Sequence, residues 1–297
     1  EEKEIVDLAW FPTGGGKTEA YLGLLAVCSF YRRLDPETVA REIQSPGVHS
    51  IMRYTLRLLT ADQSARLVRA CGAMNIVADE HGIGEESGFT PFRVGMWIGS
   101  ETSPNNFFKN PNYPKNNTTQ DVIDKAKALE ESGDCTVVQF PTCPWCGDES
   151  VGDASRYEIT TPDNSPAWAK KRPILSVKCA SSGCAFEHGV PFTCVDEDIY
   201  LNPPSILLGT ADKFAQLAFN PTPSSVENRP EYNLSLEQLE DYDARRLMGF
   251  ESSRGGPLPP SLIIQDELHL LTGPLGTIAG LVECALDVAW KHTCDGH

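Results

Sequence analysis

The sequence contains no apolar run long enough to cross a membrane, although 40% of its 297 residues are hydrophobic. It also lacks the basic-then-apolar order of a secretion signal, because residues 1–4 are polar. Positive charge is scarce, with 25 Lys and Arg against 41 Asp and Glu. These absences argue against a membrane protein and against a generally basic nucleic-acid coat, although a local basic lining stays compatible with them. We expect a cytoplasmic protein with a sizeable apolar core.

Short apolar runs alternate with amphipathic stretches in the first and last thirds of the chain. Continuous apolar runs are typical of strands buried on both faces of a parallel sheet, and strict alternation also indicates a strand. The predicted strands are residues 5–11, 50–55, 92–98, 206–208 and 262–264. Helices are predicted over residues 18–33 and after a capping box that pairs Thr60 with Gln63. This order predicts a doubly wound α/β domain.

Two stretches interrupt the alternation. Residues 101–117 are rich in Asn, Pro and Lys, and they open a segment that we expect to form its own small fold. Residues 221–260 are rich in Pro, Ser and acidic residues, which predicts an exposed excursion. The predicted organisation is therefore a main domain formed by residues 1–100 and 200–297, with an insertion over residues 101–199.

A glycine-rich loop, Phe-Pro-Thr-Gly-Gly-Gly-Lys-Thr, fills residues 11–18 between a predicted strand and a predicted helix. That position is typical of a phosphate-binding loop, in which backbone N–H groups and the helix N-terminus face the phosphates of ATP. The lysine contacts the phosphates and the threonine binds Mg²⁺. The candidate nucleotide-binding residues are Thr13, Gly14, Gly15, Gly16, Lys17 and Thr18. The alternative is a glycine-rich turn before a helix, because Phe11 stands where the strict pattern has Gly or Ala.

Two adjacent carboxylates follow the predicted strand at residues 262–264. Hydrolysis of a phosphoanhydride requires one acid to hold Mg²⁺ and another to position the attacking water. Asp266 suits the first role and Glu267 the second, and His269 is a candidate for coupling this site to neighbouring segments. The alternative is an ordinary surface Asp-Glu pair, which becomes less attractive because a phosphate loop lies upstream.

Four of the ten cysteines form two closely spaced pairs, Cys143 with Cys146 and Cys179 with Cys184. Paired cysteines in tight turns supply the four thiolates that tetrahedral Zn²⁺ requires, so the spacing predicts a structural zinc ribbon. Two disulfides and a redox Cys-x-x-Cys are the alternatives. A reducing compartment argues against the first, and the absence of a surrounding βαβ pattern argues against the second. Spare ligand candidates are Cys135, Cys194 and His188.

The two nucleotide motifs resemble motif I and the DExH motif II of superfamily 2 helicases. Residues 55–60 with Gln63 resemble motif Ia, residues 94–99 resemble the glycine segment that follows it, and residues 209–214 resemble motif Ib. The resemblance implies a RecA-like phosphate-loop NTPase fold and contacts with a DNA strand through Arg57, Thr210 and Lys213. Both cationic residues have an alternative role as ordinary surface or ion-paired side chains.

More narrowly, the sequence resembles the helicase subunit of the DISARM anti-phage defence system. The matching segments are residues 11–23, 52–60, 209–214 and 263–276. This resemblance implies ATP hydrolysis coupled to DNA binding, a role in defence against phage DNA, and a partner subunit of the defence system.

The chain contains no motif III, no second RecA-like domain and no Gln-x-x-Gly-Arg-x-x-Arg pattern. In this superfamily the second domain supplies the arginine that stabilises charge on the γ-phosphate. We therefore expect residues 1–297 to bind ATP but to hydrolyse it poorly. Alternatives are a phosphate-loop ATPase that switches conformation without moving along a strand, and a zinc-stabilised assembly module with a vestigial nucleotide site.

Overall fold

The described residues form five α-helices and seven strands. The computed structural model describes residues 16–54, 61–99, 102–109, 118–130, 135–161, 172–210, 213–214, 257–266, 276–277, 280–281 and 284. The helices are α1 (Lys17–Leu34), α2 (Val39–Gln44), α3 (Ala61–Glu80), α4 (Thr119–Lys127) and α5 (Asp196–Leu201). The strands are β1 (Ser50–Tyr54), β2 (Val94–Trp97), β3 (Glu158–Thr160), β4 (Ile174–Ser176), β5 (Phe192–Thr193), β6 (Ile206–Thr210) and β7 (Leu262–Gln265). Within these ranges, no helix has both the length and the apolarity that a bilayer crossing demands.

Five strands form one sheet in the order β5-β2-β6-β1-β7, and each neighbouring pair is parallel. The central strands β1, β2 and β6 are buried along their whole length, as strands inside a parallel sheet are. Strand β1 nevertheless contains the buried polar residues Ser50 and Arg53. The predictions of an α/β class and of a parallel sheet are therefore confirmed. The predicted strand at residues 5–11 lies outside the described residues.

Helices α1 and α3 pack against each other and against the sheet. Leu25 of α1 joins Leu67, Val68 and Cys71 of α3 in one apolar core with Met52 of β1. The helix predicted over residues 18–33 is confirmed as α1, one residue longer at each end. Thr60, one half of the predicted capping box, lies outside the described residues.

The segment that carries the cysteine pairs shares its core with the main sheet. Strands β3 and β4 form a small antiparallel hairpin, with Ile159 opposite Leu175. Phe140 packs edge-on against Phe192 of β5, at 5.0 Å between ring centroids. Strand β5 in turn pairs with β2 at the edge of the main sheet. The boundaries 101 and 199 stay predictions, and the apolar core is continuous across them.

A buried guanidinium fixes the end of α1 on the amino ends of two strands. Arg32 is only 2% exposed, and it forms an ion pair with Glu42 of α2 at 2.7 Å. Its remaining N–H groups donate to the carbonyl of Val48, which precedes β1, and to those of Leu258 and Pro259, which precede β7. Buried charge is tolerated when it is paired and fully hydrogen-bonded, as this one is.

The same carboxylate binds a buried imidazole. Nε2 of His49 lies 2.7 Å from Oε2 of Glu42. Burial lowers the pKa of His49, although Glu42 opposes that shift, so the ring is neutral and Nε2–H donates to the carboxylate. Burial by itself would raise the pKa of Glu42, but His49 and Arg32 outweigh it and leave this pKa below its usual value. Because both pKa values are lowered by folding, both groups contribute stability near neutral pH that is lost on acidification, below about pH 6.5 for His49 and below about pH 4.5 for Glu42.

Removal of the buried carboxylate should be strongly destabilising. We expect Glu42→Gln to lower the free energy of unfolding by about 3–5 kcal/mol, because it leaves the Arg32 charge buried without its counter-ion. Urea unfolding followed by circular dichroism measures this loss. Glu37→Gln is the matched control, since Glu37 is exposed and its replacement should change stability by no more than about 0.5 kcal/mol. Equal unfolding midpoints for the two variants would contradict the role of this ion pair.

Candidate nucleotide and metal sites

The carboxyl edge of the sheet brings together two residues from opposite ends of the chain. Nζ of Lys17, in the first turn of α1, lies 2.7 Å from Oδ1 of Asp266, which directly follows β7. These residues are separated by 249 positions in sequence. Gly16 precedes the helix with a φ of 76°, in the left-handed region that favours glycine. The predicted phosphate-loop lysine and magnesium ligand are thus in direct contact.

The surroundings of this ion pair suit an anion with a bound cation. The Asp266 side chain is 5% exposed and that of Lys17 is 35% exposed, so the ammonium group is the more accessible of the two. The backbone N–H of Asp266 donates to the carbonyl of Arg53 at 3.1 Å, which continues the pairing of β7 with β1 and fixes the carboxylate. The N-terminus of α1 adds a partial positive charge beside Lys17. Thr18 lies half-buried in the same first turn.

Several predicted site residues lie outside the described residues. They are Thr13, Gly14 and Gly15 of the phosphate loop, Arg57 of the segment that resembles motif Ia, and Glu267 and His269 beyond the described carboxylate. Their assigned roles stay predictions.

The two candidate DNA-contacting residues of the segment that resembles motif Ib, Thr210 and Lys213, are both buried. Thr210 ends β6 opposite Tyr54 of β1. Nζ of Lys213 lies 2.6 Å from Oδ2 of Asp196 at the start of α5, and its side chain is 8% exposed. Burial raises the pKa of Asp196, and the Lys213 ammonium partly offsets that effect. Of the two alternatives for Lys213, the structure presents the ion-paired one, and its contact with a strand stays a prediction.

Nothing in the sequence indicated Asp196 as a partner for Lys213. Asp196 belongs to three consecutive acidic residues that are all buried in α5. Asp198 accepts from Arg93 at 3.0 Å, and Glu197 accepts from the backbone N–H of Phe107 at 2.6 Å. The only signal was the position of this acidic run immediately after an apolar stretch, and it does not identify the partner cations.

The four predicted ligand cysteines converge on one point. Their sulfur atoms all lie within 4.8 Å of one another. Between the two pairs, the Sγ atoms of Cys143 and Cys184 are 3.8 Å apart and those of Cys146 and Cys179 are 3.4 Å apart. A tetrahedral metal with bonds to sulfur of about 2.3 Å requires sulfur separations of about 3.8 Å. The cluster could therefore hold a metal ion, and the fit is close to that of zinc.

Tight turns present these thiols to one another. Gly147 and Gly183 have φ values of 82° and 74°, which allow the chain to reverse directly after Cys146 and directly before Cys184. One carboxylate joins the two turns, because Asp148 accepts from the backbone N–H of Ser150 at 2.8 Å and from the hydroxyl of Ser181 at 2.8 Å. The ligand positions are therefore fixed by hydrogen bonds within the protein.

The thiols differ in acidity. A hydrogen bond from the backbone N–H of Asp148 is the main cause that lowers the pKa of Cys146 to about 7. Burial raises the pKa of Cys143, and it raises that of Cys184 to about 12. A bound cation would favour the thiolate form of all four groups.

Two disulfides and the spare ligand candidates receive no support from this arrangement. Disulfide sulfurs lie about 2.05 Å apart, which is far shorter than the separations between these pairs. In the described ranges, the metal-binding cluster comprises these four thiols without Cys135, Cys194 or His188. Cys194 instead donates to the carbonyl of Val137 at 3.6 Å.

Helix α3 supports the cysteine cluster through direct packing. Phe186, two residues after Cys184, is fully buried, and a Cβ atom added at Gly72 would lie 2.4 Å from its ring. Nε of Arg69 donates to the carbonyl of Pro144 at 2.6 Å. The φ of Gly72 is not in the left-handed region, so backbone conformation does not require glycine there. Close packing against Phe186 does.

Substitution at this contact should reverse the usual preference for alanine in helices. We expect Gly72→Ala to lower the free energy of unfolding by about 1–3 kcal/mol through overpacking against Phe186. Gly23→Ala in α1 is the matched control, because no atom lies within 4 Å of its added Cβ and alanine should stabilise the helix by about 0.5–1 kcal/mol. Urea midpoints test both variants, and Phe186→Leu in the Gly72→Ala background should recover part of the loss. A stabilising effect of Gly72→Ala would contradict the packing.

Comparison with known proteins gives one result at high coverage. No family model matches the sequence. The DISARM protein DrmA of Bacillus paralicheniformis is 34% identical to this chain in an alignment that covers 97% of this chain and 25% of that protein. The chain thus spans about a quarter of the length of this curated relative. With one residue in three identical along nearly its whole length, the chain is a relative of the DISARM protein DrmA.

Proposed function

We propose that this chain binds ATP with Mg²⁺ at the carboxyl edge of its parallel sheet. The observation that carries the proposal is the 2.7 Å contact between Lys17 and Asp266. A lysine at the start of a helix and a carboxylate at the end of a neighbouring strand are the two charges that a phosphate-loop site requires. The order of the strands and the position of the site support a RecA-like fold for this unit.

Each residue of the proposed site has a distinct task. Lys17 neutralises the β- and γ-phosphates, with backbone N–H groups of residues 13–16 around them. The Thr18 hydroxyl and the Asp266 carboxylate supply oxygen ligands for Mg²⁺. Glu267 positions the attacking water, and His269 couples the site to neighbouring segments. Because Lys17 contacts Asp266 in this structure, both groups are already within reach of one MgATP.

The longer protein is proposed to be an ATP-driven DNA helicase or translocase in DISARM anti-phage defence. Two observations support this, namely the similarity to the DISARM protein DrmA and the helicase-like motifs between the phosphate loop and the acidic box. The proposal includes a second RecA-like domain, a partner subunit of the defence system and DNA as the ligand. The residues of the main domain that we propose to contact the DNA strand are Arg57, Thr210 and Lys213. Lys213 contributes to this contact through its ion pair with Asp196.

The metal proposed for the cysteine cluster is zinc, with a structural role. Four thiolates saturate tetrahedral Zn²⁺ and leave no position for a substrate or water. The ion would join the turn that contains Cys143 to the turn that contains Cys184, and so would hold Phe186 against α3.

Nucleotide binding is tested with a fluorescent ATP analogue in the presence and absence of Mg²⁺. We expect Lys17→Ala to weaken binding about 10- to 100-fold, because charged hydrogen bonds are worth roughly 1.5–3 kcal/mol. Asp266→Asn should abolish the Mg²⁺ dependence. Lys127→Ala is the matched control, since Lys127 is an exposed lysine of α4. If Lys17→Ala binds the analogue as tightly as the unmodified chain, the nucleotide site is not where we place it and an assembly module becomes the better interpretation.

Metal content is tested by elemental mass spectrometry on the purified chain. We expect one zinc per chain, lost on Cys146→Ser together with a lower urea midpoint, because three thiolates bind the ion less tightly than four. Cys284→Ser should keep the full zinc content, since Cys284 is exposed and outside the cluster. A chain without metal, or a Cys146→Ser variant that keeps its zinc and its stability, would contradict the assignment.

A further inference from the structure

A groove lies where helices α1 and α3 meet the turn that contains Cys143 and Cys146. Its volume is about 500 Å³. It is lined by Leu22, Arg66, Arg69, Ala70, Ala73 and Trp145. Neither the proposed nucleotide site nor the proposed zinc site uses these side chains, so the groove has no role so far.

Trp145 presents a fixed aromatic ring to this groove. It is 36% exposed. Its ring packs against that of the buried Phe186, with 5.6 Å between ring centroids at 61°. The hydrogen bond from Arg69 to the carbonyl of Pro144 fixes the preceding residue. The indole is therefore held in place without being buried.

The charge of the groove is opposite to that of the whole chain. The formal net charge is −16, but among the described residues two arginines and no acidic residue line the groove. The guanidinium of Arg69 lies beside the turn that contains Cys143 and Cys146, and Arg66 forms an ion pair with Glu19 at the rim of the groove. A local cationic surface on an acidic protein attracts polyanions and repels acidic protein surfaces like its own.

The combination of side chains selects one class of polyanion. Guanidinium groups bind phosphodiesters, and an exposed indole stacks on any nucleobase. Ala70 and Ala73 are short, so they leave room for a planar ring beside Trp145. A bare phosphate would not need the indole, and an apolar peptide would not need two cations.

We propose that this groove binds single-stranded nucleic acid, with a base stacked on Trp145 and the phosphodiester backbone at Arg66 and Arg69. The proposal deepens the proposed motor function, because it adds a strand contact away from the carboxyl edge of the sheet. It also links the strand to the nucleotide site. A phosphodiester competes with Glu19 for Arg66, and Glu19 lies two residues after Lys17 in α1.

The first test is fluorescence anisotropy of a labelled oligodeoxythymidine with the purified chain. We expect Trp145→Ala to weaken binding about 5- to 100-fold and Trp145→Phe to keep most of the affinity, because stacking requires an aromatic face. Leu129→Ala is the matched control for loss of an exposed apolar side chain, since Leu129 is 95% exposed. Zinc content and urea midpoint are measured on every variant, which separates stacking from misfolding.

The second test separates the two members of the rim ion pair. Arg66→Gln should weaken binding and reduce the slope of log affinity against log salt by about 0.7, because one phosphate contact is lost. Glu19→Gln breaks the same ion pair but keeps the cation, so it should bind the strand at least as tightly as the unmodified chain. Equal oligonucleotide affinities for the two variants would show that the nucleic acid does not bind in the groove, and would contradict the proposal.

Binding of the fluorescent ATP analogue keeps this proposal separate from the nucleotide proposal. We expect Trp145→Ala to bind the analogue normally, so that only strand binding is lost. Unchanged oligonucleotide affinity in Trp145→Ala, or no strand binding by a chain that binds the analogue, would overturn the groove proposal and leave the nucleotide site standing. Loss of analogue binding in Lys17→Ala without any change in oligonucleotide affinity would support both.

Discussion

The buried guanidinium of Arg32 is the interaction on which the geometry of the main sheet and of the candidate nucleotide site depends. It lies near the last turn of α1, roughly 22 Å from Lys17 in the first turn at 1.5 Å per residue. There it bonds to carbonyls that precede β1 and β7. Helix α1 is thus held at both ends, at the amino ends of β1 and β7 through Arg32 and at the carboxyl end of β7 through Lys17 and Asp266. The buried charge of Arg32 is paired with Glu42, which His49 also contacts.

The cysteine cluster belongs to the same mechanical unit as the sheet. Phe186 packs on α3, and the chain then continues through Val190 into β5, which pairs with β2. Helix α5 follows at once and holds Lys213 through Asp196. A metal ion in the cluster would therefore act on more than its local turns, because Phe186, Val190 and Asp196, which lie between Cys184 and Lys213, are all buried.

The sequence was most informative where local pattern determines structure. The strands predicted at residues 50–55 and 262–264 match β1 and β7 within one residue. The cysteine spacing predicted the cluster, since ligands of one ion must lie in paired turns. Asp266 was found because it follows a strand, which places it at the carboxyl edge of the sheet.

The parts that the sequence did not reveal are fixed by tertiary contacts. Strand β5 has two residues, which is too short for any periodicity, and it exists only because β2 offers it a partner. From the sequence, Lys213 could either contact a DNA strand or form an ion pair within the protein. Only the fold shows that Asp196 lies beside it. Trp145 lies between the predicted ligands Cys143 and Cys146, but its exposure depends on the packing of Phe186 and α3, which the spacing of cysteines does not show.

The contact between Lys17 and Asp266 also has a consequence for biosynthesis. These residues are separated by 249 positions, so the lysine leaves the ribosome long before its partner. At about 5–20 residues per second, the delay is roughly 12–50 seconds. The cysteine cluster spans a much shorter stretch, from Cys143 to Cys184, and can close within that interval. In a nascent chain the four thiols can therefore come together before Lys17 and Asp266 have met.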